Sequence, residues 1–173
     1  MTTRPKRKPE PIRIRPGTAR DVRAIAKLVI ELAKYERLAA ECHVTSERLL
    51  RDGFGRRRYF ETLIATRKGR PVGFALYFFT YSTFAARPTL YLEDLFVPAD
   101  QRRAGIGRAL LEALARVAVR RGCGRMEWAV LDWNAPAIEF YRKLGAKLRK
   151  QWVPTVLEGK PLKRLAARSG GCR

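Results

Sequence analysis

The loop Arg102-Arg103-Ala104-Gly105-Ile106-Gly107 constrains this chain more than any other feature. It falls between an apolar strand pattern, Thr89 to Val97, and an amphipathic helix pattern running from about Gly107 to Arg120. In that helix Ala109, Leu110, Ala113, Leu114 and Val117 form the apolar face. A strand that feeds a helix through glycines presents successive backbone amides at a helix N-terminus, where the partial positive charge favours a phosphate. Gly105 and Gly107 remove the side chains that would hold such a ligand away. No Gly-Lys-Ser or Gly-Lys-Thr follows, so this is no P-loop, and the third glycine of a dinucleotide fingerprint is missing. On spacing alone, a phosphate site and an ordinary loop fit equally well.

The rest of the chain alternates strand and helix patterns around this loop. Ile12 to Arg15 reads as a short strand, and Thr18 with Asp21 as a capping box opening a helix to about Tyr35. That helix carries Val22, Ile25, Leu28, Val29 and Leu32 on one stripe. Thr45 caps a second helix ending near Gly53. Tyr59 to Thr66 and Val72 to Tyr81 form a hairpin across the turn residues Lys68, Gly69, Arg70 and Pro71. Arg125 to Val130 resumes a strand, and Asn134 to Leu144 reads as a helix with Pro136 in its first turn and Gly145 as its stop. Trp152 to Leu157 is expected as a final strand, at an edge or a bulge because Pro154 cannot donate to a ladder. The pattern predicts a mixed α/β fold: a twisted, mostly antiparallel sheet of six to seven strands with about four helices.

With 173 residues, 46% of them hydrophobic, the chain suits one globular domain over 12–165, between a basic tail at 1–11 and a C-terminal tail at 166–173. The longest apolar runs fall well short of the ~20 residues a membrane helix needs, and no apolar signal segment follows the basic start, so a cytoplasmic location is expected. Cys42, Cys123 and Cys172 lack metal-ligand spacing, and no metal is expected. The formal net charge of +21 allows three readings: an anionic cofactor, nonspecific attraction to nucleic acid, or a heavily solvated surface. Six of the 37 Lys and Arg residues lie between Arg4 and Arg15, where Pro5, Pro9 and Pro11 oppose a helix.

Strand, Arg102-x-x-Gly105-x-Gly107, helix, strand, then Asn134 to Tyr141 resembles the GNAT N-acetyltransferases. The phrases Glu31-Leu-Ala-Lys-Tyr-Glu36, Asp52-Gly-Phe-Gly55, Tyr91-Leu-Glu-Asp94 and Trp133-Asn-x-Pro-x-Ile-x-Phe-Tyr141 resemble the diamine and polyamine branch and its bacterial relatives. The resemblance implies acetyl-CoA as donor, bound by Leu95, Phe96 and Val97 at the end of the strand. Arg102, Arg103, Ala104, Gly105, Ile106, Gly107 and Arg108 would hold it in the loop, and Asn134, Pro136 and Tyr141 in the following helix. It implies a homodimer as well.

An alkylammonium has a pKa of about 10, so its nitrogen must lose a proton before it attacks a thioester. The resemblance gives that task to Glu93, through water, and gives Tyr141 the task of protonating the departing thiolate. Tyr35, Glu36, Ser82, Glu93 and Asp94 match substrate-side positions. Pairing with nearby arginines for Glu93 and Asp94, and packing for Tyr141, remain the structural alternatives. Cys123 reads as a packed residue, and His43 receives no catalytic role. Ser82-Thr83-Phe84 resembles thialysine-type and bacterial members, since polyamine-selective relatives carry an aspartate at Ser82. Pro154 and Thr155 depart from a tyrosine and an arginine in relatives. The expected function is therefore acetyl transfer to a small primary amine in a ternary complex. The alternatives are acetylation of a protein or peptide amine, or a basic nucleic-acid-binding module on the same scaffold.

Overall fold

A computed structural model describes residues 10–167; most of the basic tail and residues 168–173, with Cys172, lie outside the described residues. Two compact units make up the chain, one ending at Leu131 and one beginning at Asp132. In the first, β1 (Arg13–Pro16), β2 (Glu61–Arg67), β3 (Arg70–Ser82), β4 (Arg87–Phe96) and β5 (Arg125–Glu127) form one sheet in the order of the chain. The first three pairings are antiparallel, and β4 with β5 is parallel. Helices α1 (Val22–Tyr35), α2 (Ser46–Phe54) and α3 (Ile106–Arg120) belong to this unit. The second unit holds α4 (Ala135–Lys143) and α5 (Gly159–Ala167).

The local chemistry explains where the elements start. The Thr18 amide donates to Asp21 Oδ2 at 2.8 Å, and the chain enters α1 through a 3-10 turn at Ala19–Asp21. Thr45 Oγ1 accepts from the Arg48 amide at 3.2 Å and caps α2. Lys68 and Gly69 both take positive φ, the pairing a tight hairpin turn requires.

The stripe anticipated on α1 is buried: Val22, Ile25, Leu28 and Leu32 pack with Leu49, Ile64, Phe74, Leu76 and Phe96 on one face of the sheet. Each such side chain contributes roughly 1.5–3 kcal/mol by leaving water. Leu63 and Tyr77, of the opposite strand parity, face α3 through Ala113 and Val117. A Cβ on Gly73 would lie 3.0 Å from the Phe96 carbonyl oxygen and 3.2 Å from Ile106, so glycine there lets α3 begin close against the sheet.

Three expectations are corrected. The sheet has five strands among the described residues, not six to seven, because Trp152 to Leu157 forms no ladder: Pro154 has no amide hydrogen, and the run is exposed throughout. A fifth helix, α5, follows it where about four were expected. Strand β5 also stops at Glu127, short of Val130. Among the described residues no helix is long and apolar enough to cross a membrane.

Candidate functional site

The loop after β4 bends sharply before α3. Arg103 (φ 63°) and Gly105 (φ 78°) are both left-handed, and Gly105 caps the helix. The first intrahelical bond runs from the Ala109 amide to the Gly105 carbonyl at 3.0 Å. The amides of Ile106, Gly107 and Arg108 therefore have no partner within the helix. A Cβ built on Gly105 would meet nothing within 4 Å, so open space lies over the bend. Unpaired amides, a helix N-terminus and nearby Arg103 together fit a diphosphate.

Two of the arginines assigned to this loop are engaged elsewhere. Arg102 Nε donates to the Val97 carbonyl at 2.9 Å, and its guanidinium lies 4.5 Å from the centre of the Tyr35 ring and 5.9 Å from that of Phe96. The loop is thus tied to the C-terminal end of α1. Arg108 Nε donates to Glu112 Oε1 at 2.9 Å, one helical turn on.

Glu36, next to Tyr35 in the chain, belongs to a carboxylate group created by a slip in the β3–β4 register. Leu76 pairs with Asp94 but Tyr77 pairs with Leu92, leaving Glu93 as the extra residue of a bulge. Leu92 lies across from Tyr77, on the α3 face. Two residues on, Asp94 would share that face in a regular strand, yet it lies across from core residue Leu76, on the α1 face. The bulge turns Asp94 toward Glu36, the residue that follows α1.

The electrostatics follow from this placement. Burial, with the charges of Glu93 and Glu36 next, pushes the Asp94 carboxyl up to about 7. Burial also raises Glu36. Among the described residues no cation is ion-paired with Glu36, Glu93 or Asp94. A proton held near neutrality, with like charges around it, suits acid–base work and an ammonium visitor.

Tyr35, Glu36, Glu93, Asp94, Phe96 and Arg102 thus gather at one end of the first unit. Ser82 does not join them: it ends β3, six residues or roughly 20 Å along the strand from Leu76. Its hydroxyl oxygen accepts from the Ala85 amide at 3.2 Å. Leu95 and Val97 flank Phe96 at the strand end. Within the second unit, Asn134 Oδ1 accepts from the Ala137 amide at 3.4 Å and caps α4, with Pro136 in the first turn as anticipated. Tyr141 lies two turns on, its ring 5.4 Å from that of Phe140. The Arg102–Tyr35 stack escaped sequence reasoning, because nothing in the two separated phrases says that they touch.

Comparisons with known proteins fit this geometry. The pattern of the "Acetyltransferase (GNAT) family" matches residues 25–146. A thialysine N-epsilon-acetyltransferase of Sus scrofa is 36% identical over 166 residues, covering 90% of this chain and 97% of that protein. The spermidine/spermine N(1)-acetyltransferase-like protein 1 of Homo sapiens is 37% identical over 140 residues, 77% of this chain and 20% of its own length. Among solved structures, an integron cassette protein from the V. cholerae mobile metagenome superposes with a TM-score of 0.76 at 25% identity, covering 90% of this chain and 97% of that one.

Proposed function

The chain belongs to the GNAT acetyltransferase family and is an acyltransferase, and from that premise we propose that it acetylates the primary amine of a small molecule, a lysine analogue or short diamine, by direct transfer from acetyl-CoA. The observation that carries this reading is the carboxylate group Glu36, Glu93 and Asp94 beside the amide-lined bend at Gly105. Likeness to a thialysine enzyme along nearly its whole length supports the same acceptor class.

In this reading the loop amides of Ile106, Gly107 and Arg108 hold the coenzyme's diphosphate, with Arg103 adding charge. Exposed Glu93 attracts the ammonium, and half-buried Asp94 takes its proton, directly or through water. The freed nitrogen attacks the thioester carbonyl, and the C–S bond breaks as the new C–N bond is kept. Tyr141 protonates the departing sulfur, a role that rests on the family resemblance, and the second proton that the nitrogen sheds as the amide forms restores the phenol through solvent. Asp94, raised to about 7 by burial and the charges beside it, is the holder of that proton near neutrality.

We also propose that the chain works as a homodimer. Trp152, Val153 and Val156 are 68%, 81% and 77% exposed in one short run, an apolar surface a second copy would cover. Light scattering should give twice the chain mass; a monomer at micromolar concentration would refute the dimer. For the activity itself, thiol release from acetyl-CoA should depend on a lysine analogue or short diamine, and Tyr141→Phe should slow turnover while sparing coenzyme affinity. Silence across a broad panel of small amines would overturn the proposal.

A further inference from the structure

The face of the sheet away from α1 carries a hollow of about 370 Å³ between the last turns of α3 and strands β1, β2 and β3. Its size falls in the range of small-molecule sites. The floor is apolar, with Leu63, Ala113 and Val117, while Arg15, Arg116, Arg120 and Arg121 stand around it.

Two of these arginines already have counter-ions. Arg15 meets Asp21 at 2.7 Å, and Arg121 meets Glu61 Oε1 at 3.3 Å while lying 5.3 Å from the Phe79 ring centre. The other Glu61 oxygen accepts from the Tyr77 hydroxyl at 3.1 Å, so each oxygen of the one acid lining the hollow already has a partner. Arg116 and Arg120 have no acidic partner among the described residues. They are exposed and one helical turn apart, where like charges destabilise a helix. The negative end of the α3 dipole offsets part of that repulsion, but it does not account for two unpaired guanidinium groups over an apolar floor.

We propose that this hollow binds a small amphipathic anion, a phosphate or carboxylate on an apolar body. Arg116 and Arg120 grip the anionic head with their planar donor forks, and Leu63, Ala113 and Val117 cover the body. The sheet separates the hollow from Asp94 and Glu36, so the site stands independently of acetyl transfer.

Calorimetry on the full chain with phenyl phosphate, benzoate and inorganic phosphate tests this. Phenyl phosphate or benzoate, whichever head group the site prefers, should saturate one site per chain. Inorganic phosphate, which has no body for the floor, should bind more weakly. Arg116→Ala with Arg120→Ala should weaken the preferred probe by roughly tenfold or more, since charge-assisted bonds carry the head. The control Arg56→Ala with Arg57→Ala, which lowers net charge equally, should leave it unchanged. Absence of saturable binding by all three probes, equal loss in the control, or displacement of the probe by acetyl-CoA would overturn the proposal.

Discussion

The two ends of α1 each present a carboxylate, and they have been given opposite surroundings. At the N-terminal end Asp21 accepts from both terminal nitrogens of Arg15 at 2.7 Å, from the Thr18 amide at 2.8 Å and from the Thr18 hydroxyl at 2.9 Å. The Arg15 guanidinium, aided by Thr18, holds its carboxyl far below the usual range despite burial. At the C-terminal end Asp94 faces Glu36 and Glu93, near the negative end of the helix dipole. The first arrangement satisfies a charge and fastens β1 to the helix. The second leaves a charge unsatisfied, which folding alone gives no reason to keep but proton transfer requires.

The largest effect expected from breaking this contrast falls on catalysis. Asp94→Asn should cut kcat/KM for the amine by about 100-fold, the usual worth of a general base, with acetyl-CoA affinity nearly intact. A loss of only a few-fold would return the proton-accepting role to Glu93. Next in size, Asp21→Ala removes the carboxylate to which Arg15 and Thr18 both donate and should cost about 2 kcal/mol of stability in urea titrations at neutral pH, since the 41% exposed Arg15 side chain can turn to water. Molecules that remain folded should keep their activity. If Asp21→Ala instead lowers activity without lowering stability, the two ends do not divide the work in this way.

The same contrast predicts opposite slopes of stability with pH. Asp21 has a depressed folded pKa, so its contribution is present above about pH 4 and is lost as pH falls below that. Asp94 is raised from 3.8 to about 7, so between those values the folded state keeps a proton the unfolded chain has released. Its neutral form therefore favours folding at low pH, and that advantage fades as pH rises toward 7. Asp94→Asn should flatten this decline, so that the variant gains stability relative to the wild type between pH 4 and pH 8. The smallest effect belongs to an ordinary cap: Thr45→Ala should cost about 1 kcal/mol at neutral pH and less in acid, because the Thr45 hydroxyl also helps hold the Glu47 carboxyl below its usual range.

How much of this could be read from the chain differs by region. Both caps, the hairpin at Lys68–Gly69, the α1 stripe and the bend before α3 follow from local chemistry, and all are found where the residue types put them. The bulge at Glu93 does not, because a register slip depends on what the neighbouring strand presents, and Tyr91-Leu-Glu-Asp94 reads as regular alternation. Only the slip explains why Asp94 meets Glu36. Trp152 to Leu157 has strand composition, yet composition cannot supply the amide that Pro154 lacks or a neighbour to pair with. Ser82, joined to the substrate side by resemblance, stands a strand's length from Asp94 within the first unit, a separation visible only once the hairpin is drawn.

The most direct test of the account follows release of CoA thiol across pH, with a short diamine or lysine analogue as acceptor. Wild-type kcat/KM should climb with an apparent pKa of about 7, and Asp94→Asn should lose that step. No thiol release at any pH, or superimposable profiles for the two proteins, would contradict it.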